Sequence, residues 1–298
     1  MATDSKNFVS PRDLAKAVGV SESSLKRWVD DGRLSVARTA GGHRRIPVAE
    51  AIRFVRESDL KFVRPEIVGL DGLIADGFAS SAASASVLAD LMKNRDGDEL
   101  SRRLISAFID GCSVAELVDH RIRPALEEVG VLYHSDPMGI SIEHAAVDQV
   151  ITALGSIRRL LPRHGDSATV ATGGAVAGDP YSIPSLGAAT VLHEIGFRAI
   201  NTGPNMPLDA LIAMAREVKA SLIWRSSSLP PSDTNARQEL ETLQEWQAET
   251  GGNFVLGGRG FAKHAGGKDA GPIFGSLTEL SGFARALRQG KVASSQAS

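Results

Sequence analysis

The chain has 298 residues, enough for two or three compact units, and its 43% of hydrophobic residues excludes a wholly disordered protein. Its one cysteine, Cys112, excludes an internal disulfide and any Cys-x-x-Cys metal site. No stretch reaches the ~18 apolar residues that a membrane span requires, and the N-terminus lacks the apolar core of a signal peptide. A soluble, cytoplasmic protein is predicted.

The formal net charge of −2 is distributed unevenly along the chain. Residues 1–60 contain 11 Lys and Arg residues against 8 Asp and Glu residues, a local balance of +3. A basic end on an acidic body favours a nucleic-acid partner, although a charge of this size needs support from local structure.

Two short helices joined by a tight turn are predicted near the N-terminus. Ser10 is placed to cap the first helix, Pro11 occupies its first position, and Gly19 ends it. Ser21 caps the second helix, SESSLKRWVDDG. The inward face of this helix is predicted to consist of Leu25, Trp28 and Val29. Its outer face consists of Ser23, Ser24, Lys26 and Arg27.

A basic hairpin follows the helix pair. In LSVARTAGGHRRIPV, two β-prone arms flank Gly41 and Gly42, which tolerate the positive φ values of a hairpin turn. A helix-turn-helix places its second helix in the major groove of DNA, and the hairpin can grip phosphates or a narrow minor groove. The outer face of the second helix is therefore predicted to contact DNA together with four hairpin residues: Arg38, His43, Arg44 and Arg45.

The order helix, turn, helix, RTAGGHRRI and VAEAIRFV resembles the DNA-binding domain of MerR-family regulators over roughly residues 8–57. The resemblance implies a winged helix-turn-helix domain over residues 1–60 that binds double-stranded DNA as at least a dimer. The alternative is a solvated basic hairpin in an unrelated small domain.

Residues 65–163 are predicted to form a helical bundle similar to a four-helix bundle, because apolar residues recur with helical spacing. Breaks are expected at 80–83, 94–97, 110–113 and 135–141. In VAELVDHRIRPALEEVGVLY, one helical face is predicted to comprise Val114, Leu117, Val118, Ile122, Leu126 and Val129.

Residues 167–289 alternate between short β-prone runs and helical stretches. The β-prone runs are ATVAT, RAIN, SLIW and NFVL, and the last helix is expected near Leu277–Arg288. Such alternation predicts a flavodoxin-like α/β domain with a parallel sheet and helices on both faces. The polar residues 290–298 are predicted to form a disordered tail.

This order of domains resembles the cobalamin-binding MerR-type photoreceptor repressors of carotenoid genes and, from about residue 65, the cobalamin module of methionine synthase. In EEVGVLYHSDPMGISIEHAA, Glu143 and His144 match the Glu-His pair of the family signature, and Tyr133 occupies its Trp position. SLIWRSSSL and FVLGGRGF are similar to the two loops that cradle the nucleotide tail of cobalamin. The resemblance thus implies ligand contacts at Ser226, Ser227, Gly257 and Gly258.

The family's cobalt-ligating motif, Asp/Glu-x-His-x-x-Gly, aligns with residues 179–184. Asp179 matches the acid, but Tyr181 replaces the histidine and Pro184 replaces the glycine. A neutral phenol is a poor cobalt ligand beside imidazole, and proline stiffens the loop. His-ligated cobalamin is therefore not expected, whereas base-off cobalamin, another tetrapyrrole or no ligand stay open; Asp179 and Tyr181 are kept as candidate ligand contacts.

The remaining histidines have no metal-ligand spacing, so no metal site is predicted: His120, His134, His164, His193 and His264. For His144, a ligand-facing role and a helix-packing hydrogen bond are equally open. Tyr133 is open between core packing and capping a ligand.

Three functions are compatible with these patterns. The first is a DNA-binding transcription regulator, a repressor by resemblance, whose C-terminal part is a sensor or an oligomerisation module. The second is a regulator controlled by protein partners, an antirepressor or a sister subunit, with a vestigial ligand domain. A cobalamin- or tetrapyrrole-binding photoreceptor is a weaker alternative, and an enzyme is not expected because no catalytic constellation is present.

Overall fold

The computed structural model describes residues 8–38, 42–72, 83–134, 137–264 and 271–290. The chain divides into two compact units, one of Met1–Ser113 with Arg121–Arg163 and the other of Val114–His120 with His164–Ser298. The first unit thus contains both the N-terminal helix pair and the bundle, and the boundaries 1–60, 65–163 and 167–289 stay a prediction. Within the described ranges no helix is long and apolar enough to cross a membrane.

The N-terminal part of the first unit is a winged helix-turn-helix. Its helices are α1 (Pro11–Val18), α2 (Glu22–Asp30) and α3 (Val48–Glu57). Its strands are β1 (Phe8–Val9), β2 (Ala37–Arg38) and β3 (Arg44–Pro47), in the antiparallel order β1-β3-β2. The predicted caps are confirmed: the Ser10 and Ser21 hydroxyls each accept a backbone N–H at 3.1 Å, and Gly19 has φ 72°. Gly41 of the predicted hairpin turn lies outside the described residues. Of the predicted tail, residues 290–298, only Gly290 is described.

The core of this domain differs from the prediction at Trp28. Leu25 is fully buried, but Trp28 and Val29 are only half-buried. Trp28 packs at the edge of the core against Phe54, with ring centroids 5.2 Å apart, and the Arg33 guanidinium lies 6.0 Å from its ring. The Trp28 side chain therefore links α2 to α3 while part of its surface stays exposed to solvent.

A buried carboxylate anchors the base of the wing to α3. Glu50 accepts the Ser35 backbone N–H at 2.8 Å and two Arg53 N–H groups at 2.6 and 2.7 Å, and Arg53 also donates to the Arg33 carbonyl. Burial alone would raise the pKa of Glu50, but the hydrogen bonds from Arg53 and Ser35 outweigh it and lower the pKa below its usual 4.5. The segment that enters the wing is thus held by an ionised group.

This arrangement predicts an acid sensitivity of the N-terminal domain. Because the folded pKa is depressed, the stability that Glu50 contributes is fully present above the unfolded value near 4.5 and is lost as the pH falls through the lower folded value. Glu50→Gln should flatten the pH dependence of the melting temperature below about pH 5. Glu57→Gln, at an exposed partner of the same Arg53, is the control and should keep most of the dependence; an unchanged profile in Glu50→Gln would contradict the assignment.

The bundle of the first unit packs against the winged domain. Its helices are α4 (Ala85–Lys93), α5 (Gly97–Ile109), α7 (Arg123–Gly130) and α8 (Pro137–Leu160), with 3-10 turns at Pro65–Val68 and Val131–His134. The Arg56 guanidinium of α3 lies 3.8 Å from the ring centroid of Phe108 and donates to the Cys112 carbonyl at 3.0 Å. The expected breaks at 94–97 and 110–113 are present. The helix after the fourth break starts earlier than expected, at Pro137, and most of the first break lies outside the described residues.

The sequence VAELVDHRIRPALEEVGVLY does not form one regular helix. It consists of α6 (Val114–Leu117), a π-helical turn (Val118–Ile122) and α7. A π-turn holds more residues than an α-turn and rotates the face that follows. This explains why Ala125 is fully buried whereas Leu126, predicted to be buried, is half-exposed.

The second unit confirms the flavodoxin-like prediction. Its strands are β4 (Val170–Ala175), β5 (Arg198–Asn201), β6 (Leu222–Ser226), β7 (Asn253–Gly257) and β8 (Ile273–Phe274), all parallel and in the order β5-β4-β6-β7-β8. Its helices are α9 (Ile183–Ile195), α10 (Leu208–Glu217), α11 (Asp233–Thr250) and α12 (Leu277–Arg288), with a 3-10 turn at Arg259–His264. Strand β8 has two residues and was not predicted. The strand order reverses between β4 and β6, which is where such sheets bind ligands at their carboxyl ends.

The segment that contains α6 belongs to this α/β unit. The Asp119 carboxylate accepts the backbone N–H groups of Leu277 and Thr278 at 3.1 and 2.8 Å and the Thr278 hydroxyl at 2.8 Å. The Val114 N–H donates to Glu194 at 3.0 Å. Asp119 thereby satisfies first-turn amides of α12, where a negative charge is favourable.

Candidate nucleic-acid interface and ligand site

The outer face of α2 projects cations into solvent. Lys26 and Arg27 are exposed, as is Ser23, whereas Ser24 is partly covered. The hydroxyls of Ser23 and Ser24 lie 2.8 and 2.9 Å from the Ser21 hydroxyl and take part in the helix cap. Lys26 and Arg27 therefore have the greater reach toward a partner.

A surface groove runs along this face and joins it to the wing. It is lined by Pro11, Arg12, Glu22, Ser23, Lys26, Val29 and Arg44. Arg12 forms an ion pair with Glu22 at 3.4 Å, and Arg44 forms one with Asp30 at 3.1 Å. Neither Arg12 nor Asp30 was predicted from the sequence, because the pairing partners come together only when α1, α2 and the wing pack.

Three of the four predicted wing residues lie on the paired strands, and they fall on two faces of the hairpin. Arg38 is the register partner of Arg44, and Ala37 is the partner of Arg45. Since successive side chains of a strand point to opposite faces, Arg38 and Arg44 share one face and Arg45 lies on the other. Arg38, His43 and Arg45 are exposed, while Arg44 is half-covered beside α2. The structure brings Arg44 to the recognition helix and leaves Arg45 at the outside.

The predicted Glu-His pair lies on α8. His144 is largely exposed, and its Nε2 is 4.0 Å from Glu143, so the contact is weak. The backbone of Tyr133 belongs to a 3-10 turn, but its side chain lies outside the described residues. Ligand contacts by these three residues stay a prediction.

Asp179 lies at the carboxyl ends of β4 and β6, where the strand order of the sheet reverses. It is buried, and its two oxygens accept the N–H groups of Tyr181 at 2.9 Å and Ser228 at 2.5 Å. Its carboxylate thereby joins the loop after β4 to the loop after β6. Tyr181 itself points outward, with 46% of its surface exposed.

The loop after β6 and the glycine-rich loop after β7 pack directly against each other. Ser227 is buried, its N–H donates to the Gly257 carbonyl, and its carbonyl accepts the Gly260 N–H. A Cβ on Gly258, whose φ is 96°, would lie 2.4 Å from the Ser227 carbonyl oxygen, and one on Gly260 would lie 2.4 Å from the Ser227 hydroxyl. The chain's own Ser227 therefore explains why glycine is needed here. The Ser226 hydroxyl is buried without a hydrogen-bond partner among the described residues.

Trp224 occupies the space between the sheet and α9. A Cβ on Gly173 of β4 would lie 2.3 Å from the indole ring. The Trp224 Nε1 donates to the Ser185 hydroxyl at 3.1 Å, and that hydroxyl donates to Asn201 at 2.7 Å. This chain of contacts spans β4, β6, α9 and the end of β5, and it fixes the indole in place.

These residues do not fit a His-ligated cobalamin. Where the resemblance would place the histidine ligand, the chain has the exposed phenol of Tyr181, and Asp179 uses both carboxylate oxygens on backbone amides of the chain. The two loops that resemble the cradle of the nucleotide tail pack directly on each other through Ser227 and Gly258. Within the described ranges, no group of three or more His, Cys, Asp or Glu residues is arranged to hold a metal ion.

A buried ion pair on the opposite face of β6 was not predicted from the sequence. The fully buried Arg225 donates to both Glu239 oxygens at 2.9 and 2.7 Å, to the Ala175 carbonyl at 3.2 Å and to the Met206 carbonyl at 3.0 Å. The Arg225 side chain thereby links α11, the end of β4 and the loop that precedes α10. The sequence signal was a charged residue directly after the apolar run SLIW.

Comparison with known proteins assigns the N-terminal domain and the fold of the remainder. Residues 8–59 match the family model for a helix-turn-helix domain. Dimethylamine corrinoid protein 1 of Methanosarcina acetivorans is 24% identical over 146 residues, 48% of this chain and 68% of that protein. The dimethylamine corrinoid protein of Methanosarcina barkeri is 24% identical over 133 residues and is covered over 62% of its length. The chain thus spans about two thirds of the length of these relatives.

A solved structure extends the likeness beyond the α/β unit. The monomethylamine corrinoid protein of Methanosarcina barkeri has a TM-score of 0.54 and 15% identity, and the match covers 70% of this chain and 100% of that one. The chain joins a helix-turn-helix domain to a module with the corrinoid-protein fold. The fold class predicted from the sequence is confirmed.

Proposed function

We propose that this chain is a sequence-specific transcription regulator of the MerR type that binds double-stranded DNA as a homo-oligomer, at least a dimer. The observation that supports it is the groove in the helix-turn-helix domain, which brings Lys26 of the recognition helix beside Arg44 of the wing. Paired half-sites are the usual target of such dimers. By resemblance the regulator is a repressor.

We further propose that the corrinoid-fold module is the regulatory part and acts as a sensor or oligomerisation module, not as an enzyme and without His-ligated cobalamin. Two relatives are named dimethylamine corrinoid proteins, which supports an origin from a corrinoid protein. The second candidate is control by a protein partner, an antirepressor or a sister subunit. The mutual packing of Ser227 and Gly258 favours it over control by a bound tetrapyrrole.

Selection of binding sites from a random duplex library tests the proposal directly. The full chain is expected to enrich a motif with two related half-sites, and gel-shift titrations of that motif should show affinity that falls steeply with salt. Enrichment of no motif, with binding to all duplexes alike, would contradict sequence-specific regulation.

Arg45 provides the first mutational test of the interface. Arg45→Ala should weaken binding to every duplex and reduce the slope of log K against log salt by about 0.9, the value for one lost phosphate contact. Arg95→Ala, a change of the same charge in the turn between α4 and α5, serves as the control and should leave the slope unchanged. An unaltered slope in Arg45→Ala would remove the outer face of the wing from the interface.

A further inference from the structure

Two carboxylates of α2 are paired with arginines that line the groove. Glu22, the first residue of α2, is paired with Arg12, and Asp30, its last residue, is paired with Arg44. Lys26, between them, has no carboxylate within ion-pair distance among the described residues. Two of the three cations that line the groove are thus already neutralised by the chain itself.

Both pairs are exposed and therefore exchangeable. The side chains of Arg12 and Glu22 are 68% and 66% exposed, and those of Arg44 and Asp30 are 34% and 48% exposed. Ion pairs in such positions are weak, because water screens them and the side chains lose freedom. A DNA phosphate that approaches either arginine can replace the carboxylate, but it must also approach a negative charge that stays nearby.

We propose that Asp30 and Glu22 are specificity-determining residues that compete with phosphate for the arginines of the groove and so lower the affinity for non-cognate DNA. The proposal rests on the proposed DNA-binding function. On random duplexes, where base contacts are absent, only phosphate attraction drives binding, and competition by the carboxylates opposes it fully. At the cognate site, base contacts hold the recognition helix in place and the carboxylates are displaced.

The test compares Asp30→Asn with Asp31→Asn in the full chain. Both variants lose one negative charge at the end of α2, but only Asp30 is paired with an arginine of the groove, while Asp31 is an exposed helix cap. Asp30→Asn should bind a random-sequence duplex about twofold to fivefold more tightly, the factor that an exposed ion pair represents. Its salt slope should steepen by about 0.9, because Arg44 gains a phosphate contact. Asp31→Asn should keep the wild-type slope.

A double-mutant cycle identifies the arginine through which Asp30 acts. In the Arg44→Ala background, Asp30→Asn should no longer steepen the salt slope, because the arginine that Asp30 binds is already absent. The ratio of cognate to random affinity should fall in Asp30→Asn. If Asp30→Asn instead weakens binding, or leaves the slope unchanged, Asp30 positions Arg44 and the proposal is overturned while DNA binding stands. If the wild-type chain binds no duplex, the proposed function and this inference both fail.

Discussion

Glu239→Ala is expected to lower the free energy of unfolding of the α/β unit by about 3–5 kcal/mol, the usual effect of removing one partner from a buried ion pair. Arg225 has no exposed surface and would keep its charge without the carboxylate that accepts two of its N–H groups. Urea denaturation monitored by tryptophan fluorescence measures the change, because Trp224 and Trp246 lie in this unit.

The matched control is Glu241→Ala, at an exposed position two residues further along α11, and it should change stability by less than about 0.5 kcal/mol. A second variant, Arg225→Met with Glu239→Leu, removes both charges and should recover most of the loss, since apolar replacements of buried pairs are often neutral. A small loss in Glu239→Ala would show that Ala175 and Met206 carbonyls alone are sufficient partners for Arg225.

Added cobalamin is expected to leave the protein's spectrum without the signature of an imidazole ligand, and DNA binding should be insensitive to light. Tyr181 occupies the position at which the resemblance would place the histidine ligand, and a neutral phenol is a poor cobalt ligand beside imidazole. Titration of the full chain with methylcobalamin and adenosylcobalamin in the dark, followed by spectra, measures this. Micromolar or tighter binding with a His-ligated spectrum would show that another histidine has taken the role.

The double variant Tyr181→His, Pro184→Gly distinguishes the missing ligand from the closed loops. We expect it to gain little affinity, because Ser227 still fills the space beside Gly258 and Gly260. Tyr181→Phe is the control for loss of the phenol. Strong binding by the double variant would show that the two loops separate readily and that the ligand residue alone was missing.

Structural features that depend on neighbouring residues alone were predicted correctly from the sequence. Ser10 and Ser21 were predicted as caps because a hydroxyl before a helical run satisfies a free N–H, and both bonds are present. The alternation of apolar runs and helices was sufficient for the parallel sheet. The π-turn at Val118–Ile122 was not predictable, because it depends on packing that no local pattern encodes.

In the candidate sites, too, local features were predicted from the sequence and features that depend on tertiary packing were not. The outward position of Lys26 followed from helical periodicity, but the pairing of Arg44 with Asp30 joins residues 14 positions apart and needed the packed wing. In the same way Gly258 was interpreted as a ligand cradle from a resemblance, whereas its neighbour is Ser227. A glycine that permits close approach does not reveal from sequence which group approaches.

The membership of Val114–His120 in the α/β unit has a consequence for how this protein can be recombined. The backbone passes between the two units at three places, after Ser113, after His120 and after Arg163. A single crossover that replaced everything from His164 onward would leave Asp119 without the α12 amides it binds and Val114 without Glu194. The bundle and the α/β unit are therefore exchanged as one block. The helix-turn-helix domain matches its family over one continuous stretch, but a crossover near residue 60 would still separate Arg56 from Phe108 and from the Cys112 carbonyl, so the incoming bundle must supply equivalent partners.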